Sequence, residues 1–199
     1  YHGNTANDGR MLYDGMRFNM MVTTGGGASK HYFVNQQDVQ EVVLEVSGLG
    51  AEAETSGVHM NMVPKSGGNV FKGSFFTTGA NGALQGNNLS DTLMNRGLTT
   101  VSAVKRLYDV GGGLGGPIRQ DKLWFYSAHR WWGSQEYAAG SFYNKTQGTP
   151  VYTPDLDRPG FTDYFNRDNS IRSTWQAAAK HRFTGSYSKQ RNCNCHLFI

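Results

Sequence analysis

The chain has 199 residues with 26 Gly, 5 Pro, 13% aromatic and only 17% charged residues, where an ordinary soluble domain carries roughly a quarter charged; this composition argues against a helical protein and for strands joined by polar loops. The net charge of +4 comes mostly from Lys and Arg scattered singly, among them Arg10, Arg17, Lys30, Lys65 and Lys72, without the one-sided cluster and interleaved aromatics that a nucleic-acid partner needs. No stretch approaches the ~20 apolar residues of a membrane-spanning helix, which excludes a helical membrane protein and leaves open a barrel, whose strands are short and alternating.

The chain opens at Tyr1 with neither Met nor a basic-then-apolar leader, so it reads as a fragment. Turn signals follow at Asn7-Asp8-Gly9 and Asp14-Gly15, then a flexible Gly25-Gly26-Gly27. Val39 to Val46 (VQEVVLEV) is β-branched with unequal spacing, and fits a short strand or a helix end. His59 to Val63 (HMNMV) alternates as a strand and is closed by Pro64 and Lys65-Ser66-Gly67-Gly68, whose glycines give positive φ at low steric cost. This half is expected to be a small mixed sheet.

From Asn69 the dressing turns alternating and aromatic. Five segments show it, containing Phe71-Gly73-Phe75, Tyr108-Val110-Gly112-Leu114, Trp124-Tyr126-Ala128, Ile171-Ser173-Trp175 and Phe183-Gly185-Tyr187. Their connections run long, short, long, short, at 80–104, 118–121, 133–168 and 179–181. That alternation suits an outer-membrane barrel, with short turns on one side and long loops on the other, better than a soluble sandwich. Five strands close no barrel, since the smallest have about eight, so further strands are expected beyond Ile199.

Two blocks resemble a known family. Val42–Gly73, with Ala51-Glu52, Gly57, Asn61, Lys65-Ser66-Gly67, Asn69, Phe71 and Gly73, resembles the plug-to-barrel junction of TonB-dependent outer-membrane receptors. Val110–Tyr126 (VGGGLGGPIRQDKLWFY), with Gly115-Gly116-Pro117, resembles the family's strand–turn–strand. Leu12-Tyr13-Asp14-Gly15-Met16 is similar to a plug hairpin, and the block from Trp175-Gln176 to Cys195 to later strands of the Oar-like branch. Ala53-Glu54 and Val63-Pro64 depart from the pattern.

The resemblance implies a mainly β fold, with residues 1–68 the carboxy-terminal part of a plug domain. Residues 69–199 would be the first five or so antiparallel strands of a large transmembrane β-barrel, itself incomplete. It implies active uptake of a siderophore, vitamin, oligosaccharide or peptide across the bacterial outer membrane. The partners would be the TonB complex of the inner membrane, outer-membrane lipid and the transported ligand. The contrasting expectation is a soluble all-β carbohydrate-binding module.

Candidate sites follow. Lys65, Ser66, Gly67, Gly68 and Asn69 mark the junction, and Gly115, Gly116 and Pro117 the strand–turn block. Tyr137, Phe142, Tyr143 and Tyr152, in the 133–168 connection, are candidate ligand contacts that can stack on sugars or cyclic ligands. Gly111, Gly113 and Gly115 either leave space for a plug or bend the strand. Trp124 and Trp175 suit a lipid interface, and Trp131 and Trp132, facing opposite ways, cannot both do so.

Other chemistry finds little support. Gly111 to Gly116 formally satisfies a dinucleotide fingerprint, but a turn and a strand follow it where a helix is required. Cys193-Asn194-Cys195-His196 is half a zinc site, or a disulfide in an oxidising compartment. Asp155, Asp157, Asp163 and Asp168 are loop turn formers or oxygen ligands for calcium. With no nucleophile elbow and no His-Glu-x-x-His, no catalytic residue, cofactor or metal is assigned and an enzyme is not expected.

Overall fold

In the computed structural model the described residues are 9–18, 33–46, 57–98 and 100–196. The Asn7-Asp8 and Gly25–Gly27 signals and the Ala51-Glu52 match lie outside them. The described residues are mainly β, as expected, and form two sheets.

The first sheet is the small mixed one, in the order β2-β1-β4-β3. Its strands are β1 (Arg10–Tyr13), β2 (Met16–Arg17), β3 (Val39–Glu45) and β4 (His59–Pro64). Asp14 and Gly15, at φ 54° and 75°, make the two-residue hairpin between the paired Tyr13 and Met16; Asp-Gly is the pair that tolerates two successive positive φ values. β1 runs parallel to β4 and β3 antiparallel to it. The ambiguous 39–46 run is therefore a strand, over Val39–Glu45, whose β-branched residues favour the extended backbone whatever their spacing.

The second sheet is a five-stranded meander of sequential neighbours, β5 (Lys72–Asn81), β6 (Ala103–Arg119), β7 (Leu123–Asn144), β8 (Pro154–Ala178) and β9 (His181–His196). The β5–β6 connection holds a short helix, α1 (Asp91–Asn95), capped by the Ser90 side chain. The connections alternate long and short as expected, with one correction. Residues 133–144 and 154–168 continue β7 and β8, and the connection is only 145–153. Glycine and proline blurred the alternation there: Gly140 takes positive φ inside β7, and Pro154 opens β8, a position that needs no ladder donor. Asp155, Asp157, Asp163 and Asp168 accordingly sit on a strand and not in a loop.

Two compact units emerge, each described by itself: residues 1–74, 112–129 and 169–188, and residues 75–111, 130–168 and 189–199. In the first, side chains two apart on a strand share a face, and the two faces are dressed in opposite ways. Tyr126, Ala128, Ser170 and Thr174 are buried on one. On the other, Leu114, Ile118, Ile171, Trp175, Phe183 and Tyr187 stand 46–65% exposed. The covered face mixes hydroxyl side chains with Tyr126 and Ala128, and the large aliphatic and aromatic groups of the other face are bare.

Candidate functional site

The junction begins where β4 ends. Pro64 closes the strand, and the Lys65 amide donates to the Asp38 carbonyl at 2.7 Å, turning the chain toward β5. Gly67 and Gly68 do not take positive φ, contrary to expectation. Gly67 is required by close approach: a β-carbon there would collide with the Phe125 carbonyl oxygen, while one at Gly68 would meet nothing within 4 Å.

Asn69 is the hub. Its side-chain oxygen accepts from the Asp121 amide at 3.0 Å and from Trp124 Nε1 at 2.7 Å, and its nitrogen donates to Asp121 Oδ1 at 2.6 Å. Asp121 is the positive-φ residue, at 60°, of the β6–β7 turn. Few non-glycine residues hold that conformation, and the Asn69 amide clamps this one from both sides. Ser66 and Lys65 complete the rim, the Lys65 ammonium 5.8 Å from the Tyr126 ring centroid.

The strand–turn block meets the same place. A β-carbon on Gly115 would come 2.5 Å from Tyr126 Cδ2, and one on Gly113 would strike the Tyr126 hydroxyl. One on Gly116 would strike the Phe71 ring. Pro117 follows, half-buried, ahead of the turn. The Gly113 and Gly115 hollow is thus shaped to the Tyr126 ring, a third reading beside the two open in the sequence. The ring crosses it so that its hydroxyl donates to the Gln37 carbonyl at 2.8 Å. Two motifs separated by some forty residues form one interlocked structure.

Further ties join residues 1–68 to the five-stranded sheet, and one braces the small sheet itself. Arg172 Nη2 lies 2.8 Å from Asp14 Oδ2 in the Asp14-Gly15 turn, with Arg172 largely buried. Ser74 Oγ donates to Gln37 Oε1 at 2.9 Å, and Asp38 takes the Tyr13 hydroxyl. Sequence reasoning missed Gln37, Asp38 and Arg172. An alternating strand gives no sign of which inward polar residue meets another sheet. The small-residue pair opposite Tyr126 was the one available signal.

Trp124 shares the Tyr126 face and is tied to Asn69, so it does not stand on the bare apolar face. Trp175 does, its ring 5.9 Å from Phe183.

In the second unit, Tyr137, Phe142 and Tyr143 belong to β7, and Tyr152 alone lies in the 145–153 loop. The structure joins Phe142 to Tyr152, whose hydroxyl donates to the Phe142 carbonyl at 3.1 Å. Tyr143 carries the Arg158 guanidinium over its ring at 4.4 Å. Tyr137 stands apart from these, 5.5 Å from the Lys105 ammonium, which also caps Phe161. Arg130 pairs with Asp109 through two hydrogen bonds of 2.9 and 2.7 Å.

Cys193 and Cys195 form a disulfide. Among the described residues no group of three or more His, Cys, Asp or Glu gathers. The glycine run 111–116 lies in a strand that ends in a turn, not before a helix.

No family model matches the chain, and no solved structure matches it. Among curated proteins it is similar to the TonB-dependent transporter Oar of Myxococcus xanthus, 36% identical over 90 residues. That stretch is 45% of this chain and 8% of the relative's length.

Proposed function

We propose that the chain is a section of an outer-membrane active-transport receptor driven by the TonB complex. Residues 1–68 are the carboxy-terminal part of its plug, and residues 69–199 the first five or so strands of its barrel with their loops. The observation that carries this reading is the inverted dressing of the five-stranded sheet in the first unit. Exposed contiguous apolar patches mark contact with lipid or another protein. Strands that alternate apolar-out and polar-in are the pattern of a barrel wall in a bilayer. Similarity to a protein named a TonB-dependent transporter supports TonB as the energy source, and the bare apolar face supports a location in the outer membrane. A soluble carbohydrate-binding module would leave the Leu114–Tyr187 face in water, at a cost of ~25 cal/mol for each Å² of apolar surface that a bilayer would cover.

In this reading the Asp14–Arg172 pair, the Tyr126–Gln37 bond and the Ser74–Gln37 bond hold the plug against the wall. Ligand engages the outer ends, near 82–102 and at the 145–153 hairpin, where Tyr143 and Tyr152 are candidate contacts. Pulling by the TonB complex then breaks the plug–wall ties. Each is a single hydrogen bond or ion pair of ~0.5–3 kcal/mol, within reach of an energised partner.

The test is fractionation of the native producing cells, followed by ligand accumulation with and without the inner-membrane proton gradient. The full-length protein is expected in the outer-membrane fraction, with accumulation abolished by a proton uncoupler. Recovery in the soluble fraction without detergent contradicts the reading.

A further inference from the structure

A cavity of about 500 Å³ opens beside the junction, with Lys65, Ser66, Gly67, Gly68 and Lys72 on its wall. No Asp or Glu lines it. Neither lysine has an ion-pair partner among the described residues. Of the two acids that adjoin the motif, Asp38 takes the Tyr13 hydroxyl and Asp121 takes the side-chain amide of Asn69, and neither lines the cavity. The amides of Ser66, Gly67 and Gly68 find no acceptor among the described residues.

The wall thus brings two ammonium groups, hydroxyls and a run of backbone N–H together with no acidic side chain, beside the neutral amides of Gln40 and Asn69. An ammonium carries three donors and no acceptor, and the amides of Ser66, Gly67 and Gly68 add donors on the same wall. A tetrahedral oxyanion accepts from directions outside a single plane, whereas the lone pairs of a carboxylate lie in its own plane. We infer that this cavity is a phosphate-binding site, taking the phosphate group of a lipid headgroup or a free phosphate. Val70, exposed on its wall, and the adjacent exposed Phe71 give a lipid-borne phosphate a place for its chains. That source rests on the membrane reading above, whereas binding of inorganic phosphate does not.

The experiment is calorimetric titration of the purified full-length protein in phosphate-free dodecyl maltoside. The probes are sodium phosphate and, separately, dihexanoylphosphatidylglycerol below its micellar concentration. Both are expected to bind saturably and to displace one another. Lys72→Gln, at an exposed position that tolerates the change, weakens both about threefold, and Lys65→Gln with Lys72→Gln about tenfold or more, in line with charge-assisted contacts at a partly exposed site. Lys105→Gln, in the other unit, leaves both affinities unchanged. A headgroup source gives phosphatidylglycerol at least tenfold tighter binding than phosphate, and a free-phosphate source gives equal or weaker. Absence of saturable binding by either probe, or unchanged affinity in Lys72→Gln and in the double variant, overturns the site.

Discussion

At the scale of single residues, the junction separates glycines that look alike in the sequence. Gly67 and Gly68 are adjacent and both take ordinary φ, so conformational freedom explains neither. What differs is the neighbour: the Phe125 backbone crowds Gly67, and Gly68 faces open space. Gly67→Ala should lower stability by about 1–3 kcal/mol, the usual range for overpacking, while Gly68→Ala is neutral or slightly stabilising. Urea unfolding of the two full-length variants in detergent checks this, and equal effects would contradict the packing account. A second residue-scale prediction concerns Arg172, largely buried and paired to Asp14. Asp14→Ala removes the partner and leaves a guanidinium uncompensated, at a cost of about 1–2 kcal/mol once the exposure of Asp14 is allowed for. Asp14→Asn, which keeps the hairpin turn and one acceptor, should recover part of that loss in the same unfolding measurement.

At the scale of elements, the legible features were those whose signal is local. The Asp14-Gly15 hairpin, strand β4 and the short turns at 120–122 and 179–180 follow from turn chemistry and alternation over a few residues. The Lys65–Asn69 and Gly115–Pro117 blocks were visible as separate motifs. Their interlocking through Asn69, Asp121 and Tyr126 was not, because pairing across some fifty positions leaves no periodic mark. The halves of β7 and β8 that flank 145–153 carry no clear strand signal in the sequence, since Gly140, Pro154 and Pro159 break the alternating dressing without ending the ladder. Backbone hydrogen bonding in those segments predicts slow amide exchange at 133–144 and 154–168, comparable with 123–132, and fast exchange only at 145–153. Hydrogen–deuterium exchange with peptide-level mass spectrometry reads this directly. Uniformly fast exchange from 133 to 168 would restore the single long loop.

For the whole molecule, composition and alternation indicated a β protein with a wet side and a greasy side, and the structure assigns residues to each in the first unit. Trp175, Phe183, Ile171 and Leu114 are bare, whereas Trp124, grouped with Trp175 in the sequence, is turned to Asn69 on the covered face. Only pairing to a second sheet decides which parity of a strand is covered, and alternation alone is symmetric between the two. This division yields the most direct test of the claim that the five-stranded sheet is a membrane wall. Full-length protein retaining Trp175 as its one tryptophan is placed in bilayers whose acyl chains carry bromine, which quenches by contact, and compared with a version retaining only Trp124. The account predicts strong quenching of Trp175 and little quenching of Trp124. Equal, weak quenching of both would contradict it and leave the apolar face to a protein partner.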